Sequence, residues 1–401
     1  MKLLIISSQY PPRWSPESAH TLLLCEQLAA RGVQVDLLTS ELLPGFPPPK
    51  GFRLHPRMKS WGWHQFPSLL FSIRRLQPDA VLLIYIDWIY GGHPMVTFAP
   101  AVLRWLQPRT PFVTQFENIS GLTGMIPPNR KRHRLFRRFI SQVVGPRGLH
   151  PTYGSLLRDS NHIIALSERH LEALEQARPG VSAKSTVIPA PPSMRVAAEG
   201  KDGSSRRRGR AMLGASEQEI LLAYFGYIYW MKDMETLLTA FGNLSCNVRL
   251  VIIGASDDKY LHKLYKVSRD AGGVERVTWV GHCEDEIASL YLHAADICVL
   301  PFADGVRLSN SSFAVAASHG IPIVTTRGET LEAPFLDGEN VKLYPPKDPT
   351  ALASAITELI SSQEMRRRLA AGASKLAKNC FSWERVIDST LNVLQGTVAK
   401  Q

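Results

Sequence analysis

The chain has 401 residues, 45% apolar and 20% charged, with 28 Gly and 28 Pro, a composition that excludes a disordered or fibrous chain and suits a globular protein of two domains. No apolar stretch reaches the roughly 18 to 20 residues needed to cross a bilayer, and the opening MKLLIISSQYPP reads as a buried strand stopped by proline without a signal-peptide cleavage region, so a cytoplasmic protein is expected. The net charge of +11 is lopsided: residues 1–190 hold 22 Lys and Arg against 11 Asp and Glu, residues 191–401 hold 24 of each, and an anionic partner is therefore expected at the first half.

From the N-terminus, residues 2–8 read as a buried strand, 18–31 as a helix ending at Gly32, and 33–39 as a second strand. Further strands are predicted at 80–86, 112–116 and 162–166. Strand and helix alternating in this way predict a parallel sheet covered on both faces. Between Pro189 and Arg210 the pattern stops in IPAPPSMRVAAEGKDGSSRRRGR, which reads as a connector. A second alternating series follows, with strands at 220–225, 248–253, 277–280, 297–300 and 321–325 and helices at 234–244, 259–271, 284–293 and 311–319. Helices over 349–361, 364–378 and 383–394 close the chain. The expected organisation is two doubly wound domains, residues 1–190 with a returning helix at 382–401, and residues 191–381. In such sheets ligands bind beyond the carboxyl ends of the strands. The five cysteines (Cys25, Cys246, Cys283, Cys298, Cys380) are scattered and never in a CxxC pair, which argues against a disulfide frame and a zinc site.

Seven segments in this order carry a resemblance: YPPRWSPESAHTLLLCEQLAARGVQVDLLTS, IIALSERHLEAL, YFGYIYWMKDMETLLTAF, VRLVIIG, VTWVGHCEDEIASLYLHAADICVLPFADG, HGIPIVTT and LDGENVKLYPPKDPTALASAI. Together they resemble the retaining GT-B glycosyltransferases of family 4 (glycosyl transferases group 1). The resemblance implies an α/β fold of two Rossmann-like domains facing a central cleft, the first binding an acceptor and the second a nucleotide sugar. It also implies that FSWERVIDSTLNVL is a helix crossing back onto the first domain.

Lys232 follows Gly226 by six residues at the start of a predicted helix, where the family carries its phosphate-binding lysine. A departing nucleoside diphosphate gains negative charge, which a fixed ammonium and a helix amino end stabilise. The family's arginine just after the glycine is Tyr227 here. The family's Glu-rich signature is also absent: counting back from Gly320 without gaps puts Arg307 and Val315 at its two acidic positions. Admitting three inserted residues aligns Asp304 and Gly305 with the first acid and its glycine, leaving Arg307 to supply the guanidinium that Tyr227 cannot. Ser309, Asn310, Ser311 and Ser312 would then cap the following helix and turn N–H groups to the phosphates. Glu332, or Glu329, in RGETLEAP is the candidate for the ribose-binding acid, and His282 in VGHCEDE lies where the family contacts the base.

In the first domain, Glu117 sits where many members carry a histidine beside the reacting sugar, and could orient the acceptor hydroxyl or stabilise positive charge at the anomeric carbon. Asp87 and His93, near Trp88 and Tyr90, are acceptor-binding candidates. The family's glycine pair in the first loop is Ser15 and Pro16 here. The run NRKRHRLFRRFISQVV is basic on one helical side and apolar on the other, so residues 130–144 are a candidate contact with an anionic membrane surface, which makes peripheral attachment to the inner leaflet an expectation. No HExxH and no DxD occurs, so neither a metal nor another cofactor is expected beside the nucleotide-sugar substrate. The resulting expectation is a retaining transferase acting from a UDP-sugar on a lipid-linked or polysaccharide acceptor. A non-catalytic sugar-nucleotide binder is the alternative; a nucleic-acid binder is disfavoured by the absence of interleaved aromatics.

Overall fold

A computed structural model describes residues 1–12, 15–46, 48–119, 149–150, 152–197 and 203–400. They form two compact units, Met1–Pro189 with Val386–Gln401, and Ala190–Arg385. The basic run at 130–144 lies outside the described residues.

The first unit is built from β1 (Lys2–Ile6), α1 (Pro16–Ala30), β2 (Gln34–Ser40), β3 (Arg53–Met58), α2 (Phe66–Leu76), β4 (Ala80–Tyr85), α3 (Ala99–Leu106), β5 (Phe112–Phe116), β6 (His162–Ala165), α4 (Glu168–Ala177) and β7 (Ser185–Val187). The strands pair in the order β3-β2-β1-β4-β5-β6-β7, every pair parallel, with Ile5 opposite Leu37 on one side and Leu82 on the other. Runs such as KLLII and AVLLIY suit this position because a central parallel strand is covered on both faces and leaves no alternate residue for water. α2 and α3 cover one face, placing Leu69, Ile73, Ala99 and Leu103 in one core with Val81, Leu83 and Phe112.

Ser15 and Pro16 have a local purpose. Ser15 caps α1 in a reciprocal box with Ser18, at 3.1 Å in each direction, and Pro16 opens the helix where its missing N–H costs nothing. The edge strand β3 escapes the sequence pattern because RLHPRM is half polar and contains Pro56, which an edge tolerates and a central strand does not.

The second unit comprises α5 (Ser204–Leu213), β8 (Ile220–Phe225), α6 (Met234–Gly242), β9 (Val248–Ile253), α7 (Asp258–Asp270), β10 (Val277–Gly281), α8 (Asp285–Ala294), β11 (Ile297–Leu300), α9 (Ser311–Ser318), β12 (Ile323–Thr326), β13 (Lys342–Tyr344), α10 (Pro349–Ser361) and α11 (Gln363–Leu376). Its strands run β10-β9-β8-β11-β12-β13, again parallel throughout. Both units are thus doubly wound α/β layers, as the alternation predicts.

The reading of residues up to Arg210 as a connector needs correction. α5 packs so closely on α8 that a Cβ on Gly209 would stand 2.1 Å from the Leu290 carbonyl oxygen. Arg210 is buried, pairs with Asp296 at 3.3 Å and donates to the Glu219 carbonyl at 2.6 Å; Arg206 pairs with Asp296 at 2.8 Å. Two arginines of a stretch that reads as a connector are here the means by which a polar helix is fastened to its unit. The last helix, α12 (Trp383–Val398), joins the first unit from Val386 on, and its Asp388 pairs with Arg31 of that unit at 2.6 Å. Among the described residues no helix is long and apolar enough to cross a membrane.

Candidate functional site

In a doubly wound sheet the crevice lies where the strand order reverses, which in the second unit is between β8 and β11. The loops leaving those two strands meet there. Gly226 ends β8 with φ +136°, and a Cβ on it would press on the Ser312 side chain at 3.2 Å. Gly254, ending β9, is closer still: its Cβ would stand 1.9 Å from the Gly226 carbonyl oxygen. From Gly226 the chain runs through a short turn, Trp230–Lys232, into α6 by way of Asp233, whose φ of 43° is left-handed. The Ala303 N–H donates to the Met231 carbonyl at 3.0 Å, tying this loop to the one that leaves β11.

Lys232 is the centre of the arrangement. Its Nζ donates to Ser312 Oγ at 3.4 Å and lies 4.4 Å from the centre of the Phe302 ring. It has no carboxylate partner among the described residues. Half-buried and without a carboxylate beside it, its ammonium is desolvated, which pushes its pKa down to about 8. Ser312 stands in the first turn of α9, where the N–H groups of Ser311 and Ser312 have no backbone acceptor among the described residues. A cation lacking an anion, beside a helix start, can receive a phosphate.

Arg307 is turned onto its own loop. It donates to the Asp304 carbonyl at 3.1 Å, and its guanidinium is 3.9 Å from the Asp304 carboxylate. Asn310 occupies the N-cap of α9 without capping it, a correction to the expectation from sequence; its Oδ1 instead accepts the Arg307 N–H at 2.7 Å and shapes the bend that precedes the helix. Ser309 is half-buried in the same loop. Glu332 is buried and accepts the Leu308 N–H at 2.6 Å, which clamps this loop from behind. Tyr227 is exposed beside Tyr229, with ring centres 6.2 Å apart, and Glu329 is exposed. His282 is exposed just past the edge strand β10, two strands from β8.

In the first unit the order reverses between β1 and β4, and the loops after them are joined by the Ser8 hydroxyl donating to the Ile89 carbonyl. Asp87 starts the turn after β4, and its carbonyl accepts the Gly92 N–H at 2.8 Å. His93 accepts the Met95 N–H at Nδ1, 3.1 Å, so its ring proton is on Nε2. Partial burial and the neighbouring His64 hold its pKa below the usual histidine value.

Glu117 follows β5 and is held by residues to which the sequence reading gave no role. The Gln115 Nε2 stands 2.6 Å from Glu117 Oε1 and 3.0 Å from His20 Nε2. One amide therefore serves both groups, donating one proton to the carboxylate and one to the imidazole, which makes His20 the Nδ1–H tautomer. His20 Nε2 is itself 3.5 Å from Glu117 Oε1. Burial pushes the nearby Glu17 carboxyl up, with the Glu117 charge adding to the effect. The alternation of a strand does place Gln115 and Glu117 on one side. His20 lies 95 residues earlier on α1, and no local pattern links it to them. Among the described residues no group of three or more His, Cys, Asp and Glu is placed to hold a metal ion.

Comparison with known proteins bears on the family and the fold. The family described as Glycosyltransferase Family 4 matches residues 18–191, and that described as Glycosyl transferases group 1 matches residues 219–362. A D-inositol 3-phosphate glycosyltransferase of Xylanimonas cellulosilytica is 25% identical over 245 residues, 60% of this chain and 55% of the relative. A phosphatidyl-myo-inositol mannosyltransferase of Mycobacterium leprae is 29% identical over 176 residues, 42% of this chain and 44% of the relative. The chain thus spans about half the length of the curated relatives it matches. The Anabaena protein Alr3699/HepE, solved in complex with UDP-glucose, shares the fold with a TM-score of 0.71 at 15% identity, over 100% of both chains.

Proposed function

The chain belongs to the glycosyl transferases group 1 of glycosyltransferase family 4, and from that premise we propose that it moves a hexose from a UDP-sugar to a hydroxyl of a lipid-linked or polysaccharide acceptor, with retention of configuration. The observation that carries the reading is Lys232, a half-buried cation with a hydroxyl and an aromatic face as neighbours and no carboxylate partner among the described residues.

In the proposed reaction the bond from the anomeric carbon to the diphosphate oxygen breaks, and a bond from that carbon to the acceptor oxygen forms on the same face. The acceptor proton passes to the departing diphosphate. Lys232, together with the N–H groups of Ser311 and Ser312, offsets the charge that grows on the leaving group, which is where fixed electrostatic stabilisation lowers a barrier most. Arg307 adds a second cation, and Asp304 is assigned to the donor sugar. Glu332 keeps their loop in shape through Leu308. Gly226 lets the diphosphate approach the backbone, while Tyr227 and His282 are assigned to the nucleoside side. Glu117, aimed by the Gln115 amide, is assigned to the reaction centre, with Asp87 and His93 toward the acceptor.

The UDP assignment draws support from the Anabaena neighbour, solved with UDP-glucose, and the lipid-linked acceptor from the relative named a phosphatidyl-myo-inositol mannosyltransferase. The proposal needs no resident metal, because the lysine does the work of a counter-cation. Residues 130–144 are retained as a proposed contact with anionic lipid. A thermal-shift screen of UDP-, GDP- and ADP-sugars in EDTA tests the donor reading, since a ligand at a hundred times its Kd stabilises the native state by about 2.7 kcal/mol. A UDP-sugar is expected to raise the Tm by several degrees and the others by less. No shift with any donor would overturn the reading; a shift without transfer or hydrolysis would favour the non-catalytic binder.

A further inference from the structure

Gln115 is 4% exposed near the end of β5, and a buried amide in a central parallel strand is costly unless its polar atoms are met. Its Nε2 meets two groups, Glu117 Oε1 at 2.6 Å and His20 Nε2 at 3.0 Å. The orientation of the amide is forced, because its oxygen could not face a carboxylate oxygen at that distance. The contact with His20 therefore needs an imidazole lone pair on Nε2, which the protonated ring lacks. His20 Nε2 also lies 3.5 Å from the same Glu117 oxygen. A protonated ring has nothing to offer the amide and a positive N–H to offer the carboxylate. The two arrangements exclude each other: neutral His20 holds the amide, and charged His20 takes the carboxylate. Glu117 Oε2 makes no hydrogen bond among the described residues.

We propose that His20 is a positioning residue for the transfer: as a neutral imidazole it fixes the Gln115 amide, which aims Glu117 at the reaction centre, and on protonation it draws Glu117 away. Three polar side chains from two distant stretches meet where apolar residues would fill the space more cheaply. The group they form leaves a carboxylate oxygen over at the carboxyl end of a strand, the end of a doubly wound sheet that receives ligands. The titratable groups facing His20 are Glu117, just past β5, and Glu17, three residues earlier on α1. No Lys or Arg pairs with either carboxylate among the described residues. Displacing a reacting group by an ångström costs about a hundredfold in rate, so an exchange of partners at Glu117 is read in turnover. That consequence rests on the transferase reading; the exchange itself does not.

The test compares the full chain with its His20→Gln, His20→Leu and Gln115→Met variants. Glutamine carries an amide oxygen at about the reach of Nε2 and does not titrate; leucine has no acceptor, and methionine fills the place of Gln115 without a donor. UDP release from UDP-glucose, with water as the acceptor, is followed from about pH 5 to 8. His20→Leu and Gln115→Met are expected to lower kcat at least about tenfold with the UDP-glucose KM within about twofold, because the diphosphate contacts belong to the second unit. His20→Gln is expected to stay within about threefold of wild type at the alkaline end and to lose less kcat than wild type toward acid. Full kcat in His20→Leu, a loss in KM instead of kcat, or an equal acid loss in wild type and His20→Gln would each overturn the proposal. A second arm needs no turnover: nitrogen NMR of a chain isotope-labelled at histidine, with the His20 signal identified by its absence from His20→Gln. The neutral ring is expected to carry its proton on Nδ1 in wild type, and a proton on Nε2 would overturn the proposal. Absence of UDP binding by wild type counts against the donor reading alone, and the NMR arm still decides this one.

Discussion

Lys232 carries a stability cost that the role proposed for it would explain. In the unfolded chain its pKa is 10.5; in the fold it is pushed down to about 8 by burial. Between those values the unfolded state binds more protons, so this residue makes stability rise with pH across that window, and below about pH 8 the charged form holds the fold at a disadvantage on the order of 1 to 3 kcal/mol. Lys232→Met keeps the stem and removes the charge. At pH 7 it is expected to raise the ligand-free Tm by a few degrees, and the difference should vanish above about pH 10.5, where lysine is neutral in both states. A variant that melts below wild type at pH 7 would show that the lysine is held for packing. Activity bought with stability is the usual pattern at a preorganised site.

At the scale of elements, the site depends on two strand ends that touch. Gly254→Ala puts a methyl where the Gly226 carbonyl oxygen already stands, and the obstacle is backbone, which cannot swing aside. The expected loss is roughly 3 kcal/mol or more in urea unfolding, accompanied by loss of nucleotide affinity because Gly226 and the Lys232 turn shift with it. Unfolding within about 0.5 kcal/mol of wild type would mean that the two loops are not locked together. Elements of this kind differ in how plainly sequence announces them. AVLLIY and VRLVII are legible because central parallel strands are apolar throughout. RLHPRM is not, since an edge strand needs no such run, and the three-residue β13 is too short for any period. SSRRRGRAML hides a packed helix behind four arginines, two of which find Asp296 and the carbonyls of Ser216, Glu219 and Ala294, partners brought in by the fold. The site divides likewise: Lys232 is found through the family resemblance, which gives its spacing from Gly226 a meaning, whereas the His20, Gln115 and Glu117 cluster joins α1 to the end of β5 and is visible only in three dimensions.

For the whole molecule, the excess charge of the first half and the unpaired Lys232 of the second point to two different anions, a lipid surface and a diphosphate. The second is the central claim. It is tested most directly by calorimetric titration of UDP, with uridine as the phosphate-free control, into wild type and Lys232→Met at pH 7. A hydrogen bond to a charged group is worth about 1.5 to 3 kcal/mol, so UDP should bind the variant roughly 10- to 150-fold more weakly while uridine binds both alike. Equal UDP affinity for the two proteins would contradict the account.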